Sequence, residues 1–140
     1  MQPDSQKNNH ISVQLADHYI MVGDHCVPLL SGQIDYWLHP ALHWRKILVA
    51  VKNCSLPMVA CYVPWNYHKL ENGEFDFVGS TDPQRNLAAF LDLAFELGLY
   101  VFVRPGPWIY DHFMDGGIPI EASEYHRLDR RFLEMTQKYF

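Results

Sequence analysis

The sequence predicts an α/β fold: a short β-hairpin over residues 11–27, followed by about three β/α units with parallel strands. Three observations carry this. From Pro28 onward, short apolar runs alternate with segments of helical period. Two of those runs, Pro57 to Val63 and Leu99 to Val103, are apolar almost without interruption, the pattern of strands covered on both faces of a parallel sheet. Pro40 and Pro83 stand where helices would open, and a missing N–H costs nothing in a first helical turn. At 140 residues the chain is too short for a closed eight-fold β/α barrel, which needs about 250 residues.

Residues 1–10 are polar and read as a disordered arm. Ile11 to Leu15 alternates as a strand does, and His18 to Val22 is a second β-rich run. Gly23-Asp24 supplies a turn, and Cys26 to Leu30 resumes the apolar pattern. Val27 to Ile34 reads as the first strand of the β/α region. A helix from Pro40 to about Asn53 carries Leu42, Ile47, Leu48, Val51 and Cys54 at helical spacing. After the strand at 57–63 comes a long polar loop to about Asp82, with a tight turn at Glu71-Asn72-Gly73. The second helix, opening at Pro83, places Leu87, Phe90, Leu91, Ala94, Phe95 and Leu97 inward and ends at Gly98. The strand at 99–103 stops at Arg104-Pro105-Gly106-Pro107, through which no strand continues. Glu121 to Phe140 reads as one helix with Tyr125, Leu128, Phe132, Met135 and Tyr139 on a stripe.

Composition narrows the function classes. Hydrophobic residues make up 49% and charged residues 19%, which suits a packed domain rather than a disordered chain. The net charge of -5, without a basic block, argues against a nucleic-acid partner. No apolar run approaches the roughly 18 residues of a membrane span. The polar start lacks a secretory stretch, so the default compartment is the cytosol, and that of a longer parent stays unknown. Cys26, Cys54 and Cys61 show no CxxC spacing and read as small core hydrophobes rather than a disulfide set. No phosphate-cradling glycine pattern, HExxH or GxSxG is present, so no cofactor and no metal is expected.

In parallel sheets, ligands meet the carboxyl ends of the strands. Three such ends are readable: Gln33 to Trp37, Tyr62 to His68, and Arg104 to His112. Each mixes aromatic rings with hydrogen-bonding groups. That mix suits a sugar, whose ring faces stack while its hydroxyls bond; it equally suits aromatic lids packed on a core. Glycoside hydrolysis usually needs two facing carboxylates, about 5 Å apart for retention. The acids Asp35, Asp111 and Asp115 have no evident partner at a matching strand end. His68 and His126 read as solvated surface histidines.

Three segments resemble glycoside hydrolase family 35, the β-galactosidase family. Leu29-Leu30-Ser31-Gly32-Gln33-Ile34-Asp35-Tyr36-Trp37 is similar to that family's LLSG-x-IHY. Cys61-Tyr62-Val63-Pro64-Trp65-Asn66-Tyr67-His68, with Gly73 to Phe77, is similar to TYVPWN-x-HE…G-x-FDF. Leu97 to Tyr100, Arg104 to Ile109 and Gly116-Gly117-Ile118-Pro119 resemble ELGLYV…RPGPYI…GGLP. The resemblance covers about Ala16 to Pro119. It implies that residues 28–140 are the amino-terminal portion of a (β/α)8 TIM barrel, truncated, from a retaining β-galactosidase-like hydrolase. Both family glutamates would lie on later strands, so no residue here is expected to be catalytic. Sugar contacts are expected from Tyr62, Trp65, Trp108, Asp111 and His112, with Arg104 bracing the strand ends. Asp111 and His112 stand where the family carries Ala-Glu, and Asp35 where it carries His, so the hydroxyls that can be read would differ. The alternative is a non-catalytic carbohydrate-binding or assembly module. Three units leave an unpaired sheet edge, which favours self-association.

Overall fold

The computed structural model describes residues 12–110 and 113–140. The expected arm at 1–10 lies outside the described residues, as do Asp111 and His112. The chain forms two compact units that divide between Leu30 and Ser31.

The first unit is an antiparallel sheet in the order β1 (Val13–Leu15), β2 (Tyr19–Val22), β3 (His25–Pro28). Gly23-Asp24 joins β2 to β3, whose end residues Val22 and His25 are paired. Gly23 holds a φ of +58°, a conformation open to glycine at no steric cost. The run expected as one strand over 27–34 is therefore two strands in two units. Pro28, with no N–H to donate, closes β3.

The second unit is a parallel sheet in the order β4 (Ser31–Gln33), β5 (Met58–Tyr62), β6 (Tyr100–Arg104). Helix α1 (Trp44–Asn53) carries the chain from β4 to β5. The short α2 (Trp65–His68) follows β5, and α3 (Leu87–Glu96) carries the chain on to β6. One face of the sheet supplies Val59, Cys61, Val101 and Val103 to a core with Leu48, Val51, Phe90, Ala94 and Leu99. The helical period explains which residues enter it. Phe90 and Ala94 are one turn apart and fully buried, whereas Phe95, expected inward, is 85% exposed. Leu42, ahead of α1, is also exposed. Of the cysteines only Cys61 is in the core, where burial pushes its thiol up to about 12; Cys26 and Cys54 are exposed.

β5 is buried from Met58 to Cys61, as its composition predicts. β6 is not: Phe102 is 54% exposed. It is an edge strand among the described residues, and Tyr100 and Phe102 are its exposed apolar side chains. The single helix expected over 121–140 is broken into α4 (Ile120–Ser123) and α5 (Arg130–Tyr139). Asp129 starts α5 by accepting the N–H of Arg131 at 2.8 Å, so Leu128 lies outside the helix and is exposed. No described helix is long and apolar enough to cross a membrane.

His68 departs furthest from expectation. Read as a surface histidine, it is completely buried. Its ring stacks on Phe77 with centroids 4.5 Å apart. Nδ1 lies 2.6 Å from the carbonyl oxygen of Asp76, which only accepts, so Nδ1 carries the proton. Nε2 then accepts from the hydroxyl of Tyr36. The Asp76 carboxylate, also buried, accepts the N–H groups of Val78, Gly79, Ser80 and Thr81 and the Thr81 hydroxyl. Burial alone would raise its pKa; the Thr81, Ser80 and Val78 donors outweigh that and hold it well below the usual carboxylate range. For His68, burial moves the imidazole from 6.5 to about 4, against the opposing bond to Asp76.

A folded pKa below the unfolded value means that the unfolded chain binds the extra proton between those pH values. Stability is thus full above pH 6.5 and declines as pH falls toward 4. The loss expected between pH 7 and pH 5 is about 2 kcal/mol, read from urea midpoints at the two pH values. The stability contributed by Asp76 is intact across this range and is lost only as pH falls below its unfolded 3.8. A midpoint unchanged from pH 7 to pH 5 would show that His68 is not held neutral.

Candidate functional site

The parallel register brings all three strand ends to one side. Gln33 pairs with Ala60, and Tyr62 pairs with Arg104. Because side chains alternate along a strand, Gln33, Ala60, Tyr62, Phe102 and Arg104 share the face that the helices do not cover. Its lower part is apolar (Met58, Ala60, Tyr100, Phe102), and its rim is polar.

Arg104 organises the rim. Its guanidinium lies over the Tyr62 ring, 3.8 Å from the centroid, and Nη1 donates to the Tyr62 hydroxyl at 3.0 Å. Nη2 reaches past β5 and donates to the side-chain oxygen of Gln33. The Gln33 amide nitrogen donates in turn to Asp35 at 2.6 Å. Asp35, 6% exposed, also accepts from the backbone N–H of Tyr62 at 3.4 Å. Arg104 therefore braces the strand ends. Gln33, absent from the expected site, is what it holds. The signal for Gln33 was its position two residues from Asp35 at a strand end; its cross-strand alignment was not available without the register.

Aromatic rings extend the rim toward the loop after β6. Tyr110 stands 6.5 Å from Tyr62 and 4.3 Å from Trp108 by ring centroids. It holds a φ of +66°, an uncommon backbone state for a tyrosine. Trp108 also carries the Arg127 guanidinium at 5.4 Å. A cavity of about 600 Å³ opens beside these rings, lined among others by Trp108, Tyr110, Asp115, Ser123, Tyr125 and Arg127. Tyr62 and Trp108, both expected at the site, are thus linked through Tyr110, which the sequence reading did not single out.

Trp65 is placed elsewhere. It is 1% exposed, stacked on Tyr139 at 5.4 Å and edge-on to Phe132 at 6.1 Å. The ring is enclosed where α2 meets α5, so Trp65 offers no platform to a sugar. Asp111 and His112 lie outside the described residues. Among the described residues, no three His, Cys, Asp or Glu side chains gather in a way that could hold a metal ion.

Gly116 and Gly117 explain how Trp108 is seated. A Cβ at Gly116 would lie 1.9 Å from Trp108 Cδ1, and one at Gly117 would lie 2.8 Å from Ile109 Cγ1. The Gly116 carbonyl accepts the Ile109 N–H at 2.7 Å, fixing the loop against these glycines. Gly116 also holds a φ of +63°. Gly116→Ala is expected to cost roughly 2–4 kcal/mol from strain and overpacking together. It should also shift tryptophan emission as Trp108 is displaced. An alanine variant with unchanged melting and emission would contradict this seating.

Residues 19–140 match the family model described as glycosyl hydrolases family 35. An exo-beta-D-glucosaminidase of Thermococcus kodakarensis is 45% identical over 108 residues, covering 77% of this chain and 14% of the relative. Human beta-galactosidase-1-like protein 3 is 38% identical over 128 residues, covering 88% of this chain and 19% of the relative. Mouse beta-galactosidase is 39% identical over 90 residues, 64% of this chain and 13% of that protein. The chain therefore spans less than a fifth of the length of each of these relatives. With its strand-end motifs in the family's order and a matching model over nearly all of its length, the chain belongs to glycosyl hydrolase family 35.

Proposed function

We propose that this chain is the amino-terminal portion of the (β/α)8 barrel of a retaining, β-galactosidase-like glycoside hydrolase. It supplies one wall of the sugar pocket, while the two catalytic glutamates come from later strands. The observation that carries this reading is the convergence of Tyr62, Tyr110 and Trp108 beside the Arg104 rim at the carboxyl ends of parallel strands. Aromatic faces suit the apolar face of a pyranose, and the rim supplies groups that bond hydroxyls. Tyr62 and Trp108 are the contacts this geometry supports. Asp111 and His112 enter from the sequence alone, and Trp65 shapes the wall from behind. The relatives named for glucosaminide and galactoside cleavage support a terminal β-linked sugar as the substrate class. The protein would work without metal or organic cofactor.

The open β6 edge favours a second reading, in which the chain is an assembly module completed by further strands, from its own continuation or another chain. Phe102 would be covered in that assembly.

Titrating the 140-residue chain with methyl β-D-galactopyranoside should give a saturable change in tryptophan fluorescence. It should not hydrolyse a nitrophenyl β-galactoside. Tyr62→Phe is expected to weaken binding about tenfold, the effect of one hydrogen bond to a sugar hydroxyl. Measurable turnover that Asp111→Ala abolishes would overturn the division of labour proposed here. Absence of any saturable signal would remove the sugar-pocket reading and leave the assembly module.

A further inference from the structure

We propose that Gln33, braced by Asp35, is a positioning residue for Tyr62 and acts through Arg104. The proposal rests on the reading of Tyr62 as a sugar contact. Three observations lead to it. First, the hydrogen-bond polarity runs one way. A guanidinium only donates and a carboxylate only accepts, so a side chain bridging the two must accept at one end and donate at the other. The Gln33 amide does both, with its oxygen toward Arg104 and its nitrogen toward Asp35.

Second, the bridge crosses the sheet. Gln33 is on β4, Tyr62 on β5 and Arg104 on β6, and all three lie on the face turned from the helices. Asp35 is nearly buried and meets the Tyr62 backbone N–H as well, so the far end of the bridge is fixed to the same residue that Arg104 covers. Third, Arg104 holds Tyr62 by two contacts at once, a stack on the ring and a bond to the hydroxyl. Arginine is long and loses much rotamer freedom when it is fixed. Gln33 holds the guanidinium at its Nη2 end, and Tyr62 holds it at Nη1. Without Gln33 the planar fork keeps one tether and can swing off the ring.

The test uses the 140-residue chain with Tyr62 ring resonances followed by NMR and methyl β-D-galactopyranoside as the probe. Gln33 is exposed, so its substitution should leave the core intact. Gln33→Leu is expected to move the Tyr62 ring resonances and to weaken galactoside binding about tenfold. The double variant Gln33→Glu with Asp35→Asn reverses the bridge polarity, with the new carboxylate accepting from both neighbours, and should restore both readouts. A role confined to stability would not be rescued in this way. Unmoved Tyr62 resonances in Gln33→Leu overturn the proposal, even if Tyr62→Phe loses binding. If the wild-type chain binds no galactoside but the resonances move and are restored, the sugar reading fails and the positioning of Tyr62 stands.

Discussion

The loops at the carboxyl ends of β4 and β5 depend on one buried neutral imidazole. His68 accepts from Tyr36, which follows β4, and donates to Asp76, in the loop after β5. Asp76 then gathers the backbone from Val78 to Thr81 around its carboxylate. A charged His68 would have to be desolvated among Tyr36, Phe77 and the Asp76 carbonyl, with no counter-charge in direct contact. The arrangement is stable only with the ring uncharged, one nitrogen donating and the other accepting. The β6 end is tied in from the other side. The Tyr139 hydroxyl of α5 lies 2.7 Å from the carbonyl oxygens of both Val63 and Pro105 and can donate its one proton to either.

Much of this fold is legible in the sequence, because it is written in periods and stops. The apolar runs at 57–63 and 99–103, the turns at Gly23 and Gly73, and the stop at Gly98 all correspond to observed features. Legibility fails where a residue has two roles of similar local cost. His68 lies in a polar stretch, and nothing nearby in sequence tells that Tyr36, thirty-two positions earlier, will face it. Phe95 has the chemistry of a core residue but the wrong angle on its helix. At 121–140 the apolar stripe continues in sequence across a break in the helix, and the break is made by Asp129, whose side chain is a cap. The exposure of Phe102 was invisible for another reason: an edge strand and a central strand carry the same apolar pattern.

The candidate site divides in the same way. Tyr62 and Trp108 stand at strand ends and in the family motifs, and the structure links their rings through Tyr110. Trp65 could be named on the same grounds, yet its indole is spent on Phe132 and Tyr139. A motif fixes a residue's type and place in the chain. Which side of the wall it faces depends on the helix that packs behind it, and α5 lies more than sixty residues later. Arg104 could be expected to brace, since it sits at the last position of a strand that ends on Pro105. Its partner Gln33 required the register of two parallel pairs.

The face of the sheet turned from the helices changes character along the strands, from Met58 and Tyr100, through Gln33, Ala60 and Phe102 in register, to Tyr62 and Arg104 at the carboxyl end. Parallel strands make such a gradient possible, because every chain crosses the sheet in the same direction and every carboxyl end lies on the same side. The apolar end can serve burial, with dispersion and desolvation as its only demands. The polar end cannot be buried without a partner for each donor and acceptor, so its side chains bond one another across three strands. That requirement, more than any single ligand contact, explains why arginine, glutamine, aspartate and tyrosine occur together at this rim. A network that already orders its own side chains holds Tyr62 in a fixed direction at the carboxyl ends of the strands.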